Sequence, residues 1–166
     1  MGFDWARAFE EERHHLFAVA YRMLGSATEA EDVLQEAWLR VRETDEIPRS
    51  ARAMLTTVVV RLCLDELKSA RARRETYVGP WLPEPIAGSG LPAGERDDTP
   101  EKAFGMRESV SMGLLVVLES LSPLERAAFL LREVFDYDFA EIAVCLGRGE
   151  AACRQLHHRA RAHVEA

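Results

Sequence analysis

No stretch of this sequence approaches the roughly 18 consecutive apolar residues that a membrane-spanning helix needs. Residues 1–15 are acidic and lack the apolar core of an export signal, so a cytoplasmic protein without a membrane partner is expected. Gly2 is not followed by the Ser or Thr of a myristoylation signal either. Cysteine is scarce. Cys63, Cys145 and Cys153 form an odd, scattered set with no C-x-x-C pair, which reads as reduced, buried thiols rather than a disulfide framework or a zinc site. Positive charge is outnumbered: Lys plus Arg is 21, Asp plus Glu is 28, and the net charge is −7. A wholly basic nucleic-acid binder is thereby excluded, but a local basic surface is not. There is no glycine-rich phosphate loop and no convergent acid–base set. His14 and His15 fall in the charged middle of a helix and read as solvated. His157, His158 and His163 have no carboxylate or thiol at ligand spacing. Neither enzyme chemistry, nor a metal, nor a cofactor is expected.

What is present is helix, twice over. Five of the seven prolines lie at 80, 83, 85, 92 and 100, and five of the ten glycines at 79, 88, 90, 94 and 105. No helical period survives there, and the stretch is too long for an ordinary loop. The predicted organisation is an N-terminal block (1–75), a linker (76–108) and a C-terminal block (109–166). Both blocks lack strand-like alternation, so the expected fold class is all-α, two small helical domains. The linker carries Tyr77, Trp81 and Leu82 among its prolines, apolar groups that should dock somewhere.

The first helix is predicted from about Asp4 to Leu24, with Phe9, Leu16, Ala20 and Leu24 inward and Gly25 as its terminator. A second starts at Thr28, where Thr28-Glu29-Ala30-Glu31 has the form of a capping box. Ala30, Val33, Leu34, Ala37, Trp38 and Val41 make its apolar side. Asp32, Gln35, Glu36, Leu39 and Glu43 line its other side at i, i+3, i+4, i+7 and i+11. A purely solvated face would not need Leu39, whereas a protein-binding face would use it. A third helix runs from about Ser50 past Ala70, burying Leu55, Val58, Val59 and Leu62, with Arg61 able to pair with Asp65. It ends in Lys68, Arg71, Arg73 and Arg74, so that residues 66–74 carry +3, while residues 1–46 carry five basic and eleven acidic groups. Such a cation cluster can hold nucleic-acid phosphates, or simply favour a helix C-terminus.

In the C-terminal block an apolar helix is predicted over 110–119. Ser122-Pro123-Leu124-Glu125 starts the next, with Leu124, Ala127, Ala128 and Leu131 inward. Asp138 caps a third, with Glu141 three residues on and Phe139, Ile142, Ala143 and Leu146 in helical register. Gly147 permits a tight turn, and a last helix begins near Glu150. Ala143 at the crossing, Gly147 in the turn, and Cys153 and Leu156 beneath the second helix fit a helix-turn-helix. Its outward residues are then Glu150, Ala151, Arg154, Gln155, His158 and Arg159. Arg and Gln can read guanine and adenine edges, while Arg148 and Arg161 sit better for phosphates.

Several of these segments are familiar. Residues 30–40, Ala-Glu-Asp-Val-Leu-Gln-Glu-Ala-Trp-Leu-Arg, resemble the polymerase-binding helix of sigma-70 family region 2. Residues 52–65, with Leu64-Asp65 ahead of the basic run, resemble the helix that melts and reads the −10 element. The C-terminal block resembles region 4, which reads the −35 element. Two helical domains and a linker are the layout of the extracytoplasmic-function (ECF) sigma factors. Residues 56–59, 61–65, 77–85 and 151–156 are similar to the SigJ-like subgroup. Members of that subgroup usually continue into a regulatory SnoaL-like domain, which would begin beyond Ala166. Met54 and Arg61 depart from the family, which often has an aromatic residue and Asn there.

The resemblance implies a sigma factor that directs promoter-specific initiation, with core RNA polymerase and promoter DNA as partners. Asp32, Gln35, Glu36 and Leu39 would bind the clamp of the largest polymerase subunit, and region 4 would meet the flap of the second. Arg61, Asp65, Lys68, Arg71, Arg73 and Arg74 would bind −10 DNA. Arg148, Glu150, Ala151, Arg154, Gln155, His158, Arg159 and Arg161 would bind −35 DNA. The linker would lie in the polymerase cleft. In the free chain, the two domains have the option of folding onto each other with Trp81 as a staple. A stand-alone helix-turn-helix regulator is the alternative, and a small helical enzyme is a third class that lacks its chemistry here.

Overall fold

The computed structural model describes residues 2–74 and 117–166, the side chains of 71–74 excepted. The expected linker, with Trp81, and most of the predicted 110–119 helix lie outside the described residues; 117–119 are helical. Among the described residues there is no strand. The helices are α1 (Trp5–Leu24), α2 (Ala27–Val41), α3 (Ala51–Arg74), α4 (Pro123–Phe129), α5 (Phe139–Leu146) and α6 (Glu150–Glu165). A π-helical turn, Leu130–Val134, continues α4.

Caps set most of these boundaries. Asp4 accepts from the Arg7 amide at the start of α1, and Gly25 closes it in the left-handed region at φ 72°. Only glycine adopts that geometry without cost from a side chain. α2 begins earlier than the Thr28 box predicts: its cap is Ser26, whose hydroxyl accepts from the Glu29 amide. Ser26 has extended backbone and a side-chain oxygen in reach, which is all a cap requires, and Thr28 is absorbed into the first turn. Capping boxes at Ser122/Glu125 and Asp138/Glu141 are both complete.

One apolar core runs through both blocks. From α1 it takes Leu16, Val19, Ala20, Tyr21 and Met23, from α2 Leu34, Ala37 and Val41, and from the C-terminal block Leu118, Leu130, Leu131 and Ile142. Each Leu, Ile, Val or Met side chain among these contributes on the order of 1.5–3 kcal/mol relative to leaving it exposed. α3 is the central element, packed on α1 and α2 and also on α4 and α5. Leu55, Thr56, Val59, Val60, Leu62, Cys63 and Leu64 are all buried, more of its circumference than one amphipathic stripe would cover. Val58 and Leu124, predicted inside, are half-buried.

The two blocks are therefore closed on each other, the second of the arrangements the sequence allows. Arg126 of α4 is 6% exposed and reaches into the N-terminal block. Its Nη1 donates to the Met23 carbonyl at 2.6 Å and its Nε to the Leu118 carbonyl at 2.9 Å. Met23 lies in the last turn of α1, where carbonyls have no helical donor and the helix end is electronegative. A buried guanidinium is thus well matched to its site.

Candidate functional site

The chain offers three surfaces. On α2, Asp32, Gln35, Glu36 and Leu39 are all exposed, Leu39 at 44%, while Val33, Leu34, Ala37 and Val41 of the same helix are buried. The separation follows from the 3.6-residue period, which sends the two sets to opposite sides. Glu36 pairs with Arg40 at 3.0 Å, an exposed i, i+4 contact of about 0.3–0.5 kcal/mol that a partner displaces readily. Beside the stripe is a cleft between α1 and α2, floored by Phe9, Leu34 and Trp38 and edged by Glu10, Arg13 and Gln35.

The second surface is α3. Arg61, Asp65 and Lys68 are exposed; the side chains of Arg71, Arg73 and Arg74 lie outside the described residues. Arg61 does not pair with Asp65 as its spacing suggests. Its Nη2 donates to the Val144 carbonyl at 3.0 Å and its Nε to the Cys145 carbonyl at 3.4 Å. These carbonyls belong to the last turn of α5, where the i+4 helical donors are missing and Val144 keeps only a 3.3 Å cap bond from Gly147, so both retain acceptor capacity for Arg61.

The third surface is the helix-turn-helix. Gly147 adopts φ 62° and its amide donates to the Val144 carbonyl at 3.3 Å. Cys153 is fully buried beneath α6, and Ala143 is half-buried at the crossing. Arg148, Glu150, Ala151, Arg154, Gln155, His158, Arg159 and Arg161 are all exposed. Arg154 pairs with Glu150 at 3.2 Å and Arg161 with Glu165 at 2.8 Å. Arg154 also lies over the Phe139 ring at 5.2 Å, which holds its guanidinium near the start of α6. His157 differs: its Nε2 is 2.6 Å from a Glu133 oxygen, and it meets the Phe139 ring edge-on at 5.6 Å. Among the described residues, no three His, Cys, Asp or Glu side chains converge as metal ligands would.

The structure brings Arg61 of the second surface against the first helix of the third. It also reveals a polar cluster that sequence reasoning missed. His15, predicted as solvated, is half-buried. Its Nε2 lies 2.8 Å from the Tyr137 hydroxyl and its Nδ1 3.1 Å from Arg52 Nη2. Thr56 Oγ1 is 3.0 Å from the same Tyr137 hydroxyl. Burial, and secondarily the Arg52 charge, pull the His15 pKa down to about 4, so its ring is neutral and accepts from Arg52. Burial likewise pushes the Tyr137 hydroxyl and the Cys145 thiol upward, so both stay protonated. Tyr137 follows Asp136, which has φ 58°, a left-handed conformation that Asp tolerates better than most residues. No local pattern marks His15 and Tyr137 as partners, since they stand 122 residues apart.

Comparison with known proteins adds the decisive observation. Residues 8–73 match the family model of sigma-70 region 2, and residues 111–164 that of sigma-70 region 4. The chain is 31% identical to the ECF RNA polymerase sigma factor SigL of Mycobacterium tuberculosis, over 93% of this chain and 83% of that one. The chain belongs to the ECF sigma factors of the sigma-70 family. Among other members of this family, it is 50% identical to the ECF RNA polymerase sigma factor SigJ of the same organism, over 95% of this chain and 49% of that one. The crystal structure of that SigJ superposes with TM-score 0.69 at 41% identity, covering 97% of this chain and 53% of the other. A sigma factor RpoE from Bartonella quintana, solved with its anti-sigma factor NepR, shares the fold at TM-score 0.70 and 16% identity. The chain spans about half the length of the first curated relatives it matches.

Proposed function

We propose that this chain acts as a promoter-specificity subunit of bacterial RNA polymerase and is not itself an enzyme. In this reading, Asp32, Gln35, Glu36 and Leu39 bind the clamp of the largest subunit, carboxylates meeting basic groups and Leu39 supplying apolar contact. Region 4 would contact the flap of the second subunit. Region 2 takes the −10 element: Arg61 and Asp65 meet an unstacked non-template base, while Lys68, Arg71, Arg73 and Arg74 hold phosphates. The helix-turn-helix takes the −35 element. Glu150, Ala151, Arg154, Gln155, His158 and Arg159 face base edges, and Arg148 and Arg161 face the backbone. The domain division at about 75 and 109 belongs to the same proposal.

The observation that carries this reading is the pairing, on one chain of this family, of an exposed acidic stripe containing Leu39 with a helix-turn-helix whose second helix is exposed along its outer face. A DNA-binding regulator acting alone would need only the second. Reconstituted transcription tests it: core polymerase, this chain and a promoter library, with transcript ends sequenced. Discrete starts behind a shared pair of upstream motifs are expected. The Asp32→Ala, Glu36→Ala double variant should reduce them at least tenfold with no loss of folding. Duplex binding without polymerase-dependent starts would favour the stand-alone regulator instead.

A further inference from the structure

Phe139 is the first residue of α5, directly after the Asp138 cap, and the complete Asp138/Glu141 box fixes the backbone that carries it. Its ring is half-buried. His157 meets the ring edge-on at 5.6 Å, and His157 is itself anchored by Glu133, 2.6 Å from its Nε2. Two guanidinium carbons also lie over the ring, that of Arg132 at 5.0 Å and that of Arg154 at 5.2 Å. The two cations differ in what else they do. Arg132 is half-buried, and its Nη1 donates to the Tyr137 carbonyl at 3.1 Å, which ties it to its own segment. Arg154 is exposed and stands one turn into α6, in the part of a second helix that faces base edges. Its Nη2 donates to Glu150, four residues back on the same helix, at 3.2 Å.

We propose that Phe139 is a positioning residue for Arg154: its ring holds the guanidinium where it meets a guanine of the upstream element, and so sets how strongly that base is preferred. The proposal rests on the reading of α6 as the −35 recognition helix. A π face attracts the charge of a guanidinium without offering it a lone pair, so the ring orients the group and leaves its N–H donors to other acceptors. Of the five donors of an arginine, Glu150 accepts one, on Nη2, across an exposed i, i+4 pair. The others suffice for a bidentate contact with guanine O6 and N7. A long exposed side chain otherwise samples many rotamers, and freezing them on a base opposes binding. The ring, fixed by His157 and by the start of α5, imposes part of that order before DNA arrives. Phe139 thus acts on specificity from the first helix of the motif, through a side chain of the second.

Phe139→Leu keeps apolar bulk and removes the π face, whereas Phe139→Tyr keeps both. The full chain, core polymerase and the promoter library give the base preference at each position of the upstream motif. Arg154→Ala marks the guanine position that Arg154 reads. At that position Phe139→Leu should weaken the guanine preference about threefold, the size of an exposed cation–π contact, while the other positions hold and Phe139→Tyr matches wild type. In an Arg154→Ala background, Phe139→Leu should change nothing further there. A ring that merely packs would lower transcription from all promoters alike, with or without Arg154, and that result overturns the proposal. An unrelaxed preference in Phe139→Leu, or no guanine position relaxed by Arg154→Ala, overturns it as well. NMR gives a reading without DNA: the Arg154 Nε–H resonance should lie upfield through the ring current and return to its ordinary position in Phe139→Leu. An unshifted resonance in wild type refutes the positioning. Absence of polymerase-dependent transcripts from wild type would instead refute the sigma-factor reading, with the resonance still deciding the role of Phe139.

Discussion

Acidification should loosen the closed form through His15, and the size of the effect can be worked out. The ring sits between α1, Arg52 and Thr56 of α3, and Tyr137, with the Phe135 ring edge-on at 5.3 Å. The nearby charged groups are Arg52, Glu12 (3.6 Å from Arg52) and Arg22, which lies over Phe135 at 5.5 Å. Burial first, and Arg52 second, lower the pKa from 6.5 to about 4. A histidine depressed in the closed, folded state binds its proton more tightly once released. Its neutral ring therefore stabilises the fold fully above pH 6.5, and this contribution is lost as pH falls from 6.5 towards 4. Between pH 7.5 and 5.5, a shift of that size changes the equilibrium about tenfold, or ~1.4 kcal/mol. The ring is only partly buried, and solvent screening reduces the figure to about 1 kcal/mol. For a chain of this length, that is a Tm loss of about 2–4 °C. The measurement is scanning calorimetry of wild type and His15→Gln at both pH values, with an NMR titration of the five imidazoles. Gln keeps hydrogen-bonding capacity but does not titrate, so its Tm should fall less with pH by that margin. Equal pH slopes for the two proteins, or no imidazole titrating well below the ordinary range, would refute the reasoning.

Two further outcomes follow from single side chains. Arg126→Met should cost about 3 kcal/mol and lower Tm by roughly 6–12 °C in calorimetry, because the Met23 and Leu118 carbonyls lose a buried charged donor. Arg126→Lys should recover only part of this, since an ammonium lacks the planar fork that reaches both carbonyls. On a duplex carrying the upstream motif, Arg148→Ala should reduce the slope of log affinity against log salt by about 1 without altering sequence preference, whereas Arg154→Ala should relax preference within the motif. Competition binding at several salt concentrations separates the two.

Local chemistry was the legible part of this chain. Gly25 and Gly147 end helices in the left-handed region, and the Ser122 and Asp138 boxes start them, because each signal acts within four residues. The exposure of Leu39 within a polar stripe was equally readable from a 3.6-residue period. Thr28 misled because two positions, Ser26 and Thr28, offered a capping hydroxyl and the backbone turned at the earlier one. His15 and Arg61 misled for a deeper reason. His15 follows a charged run that suggests solvent, and Arg61 has Asp65 one turn on that suggests a local pair, yet their partners come from residues 122 and about 84 positions away. The double-sided burial of α3 is the same effect: a second domain covers positions that one domain alone would leave half-exposed. Hydrophobic period registers how many residues are buried on one face, not which later segment arrives to cover another.

The kind of bond that closes the domains bears on whether closure can be reversed. Arg61 is bound to carbonyls and not to a carboxylate, and it remains exposed to solvent. Leaving a peptide oxygen for water costs little, since each carbonyl is rehydrated as the guanidinium departs, and a net contribution of about 1–3 kcal/mol is the range for such a bond. Phosphate offers the same guanidinium a full negative charge and a bidentate fit. In the proposed −10 role of Arg61, that charge would favour exchange of carbonyl for phosphate. Arg126 is the opposite case: buried at 6% exposure, its release would strand a charge-assisted donor and two carbonyls during opening. Opening that begins at α5 and Arg61 and reaches Arg126 last follows from these two environments. In a hydrogen-exchange time course, α5 amides should accordingly exchange before those of α4.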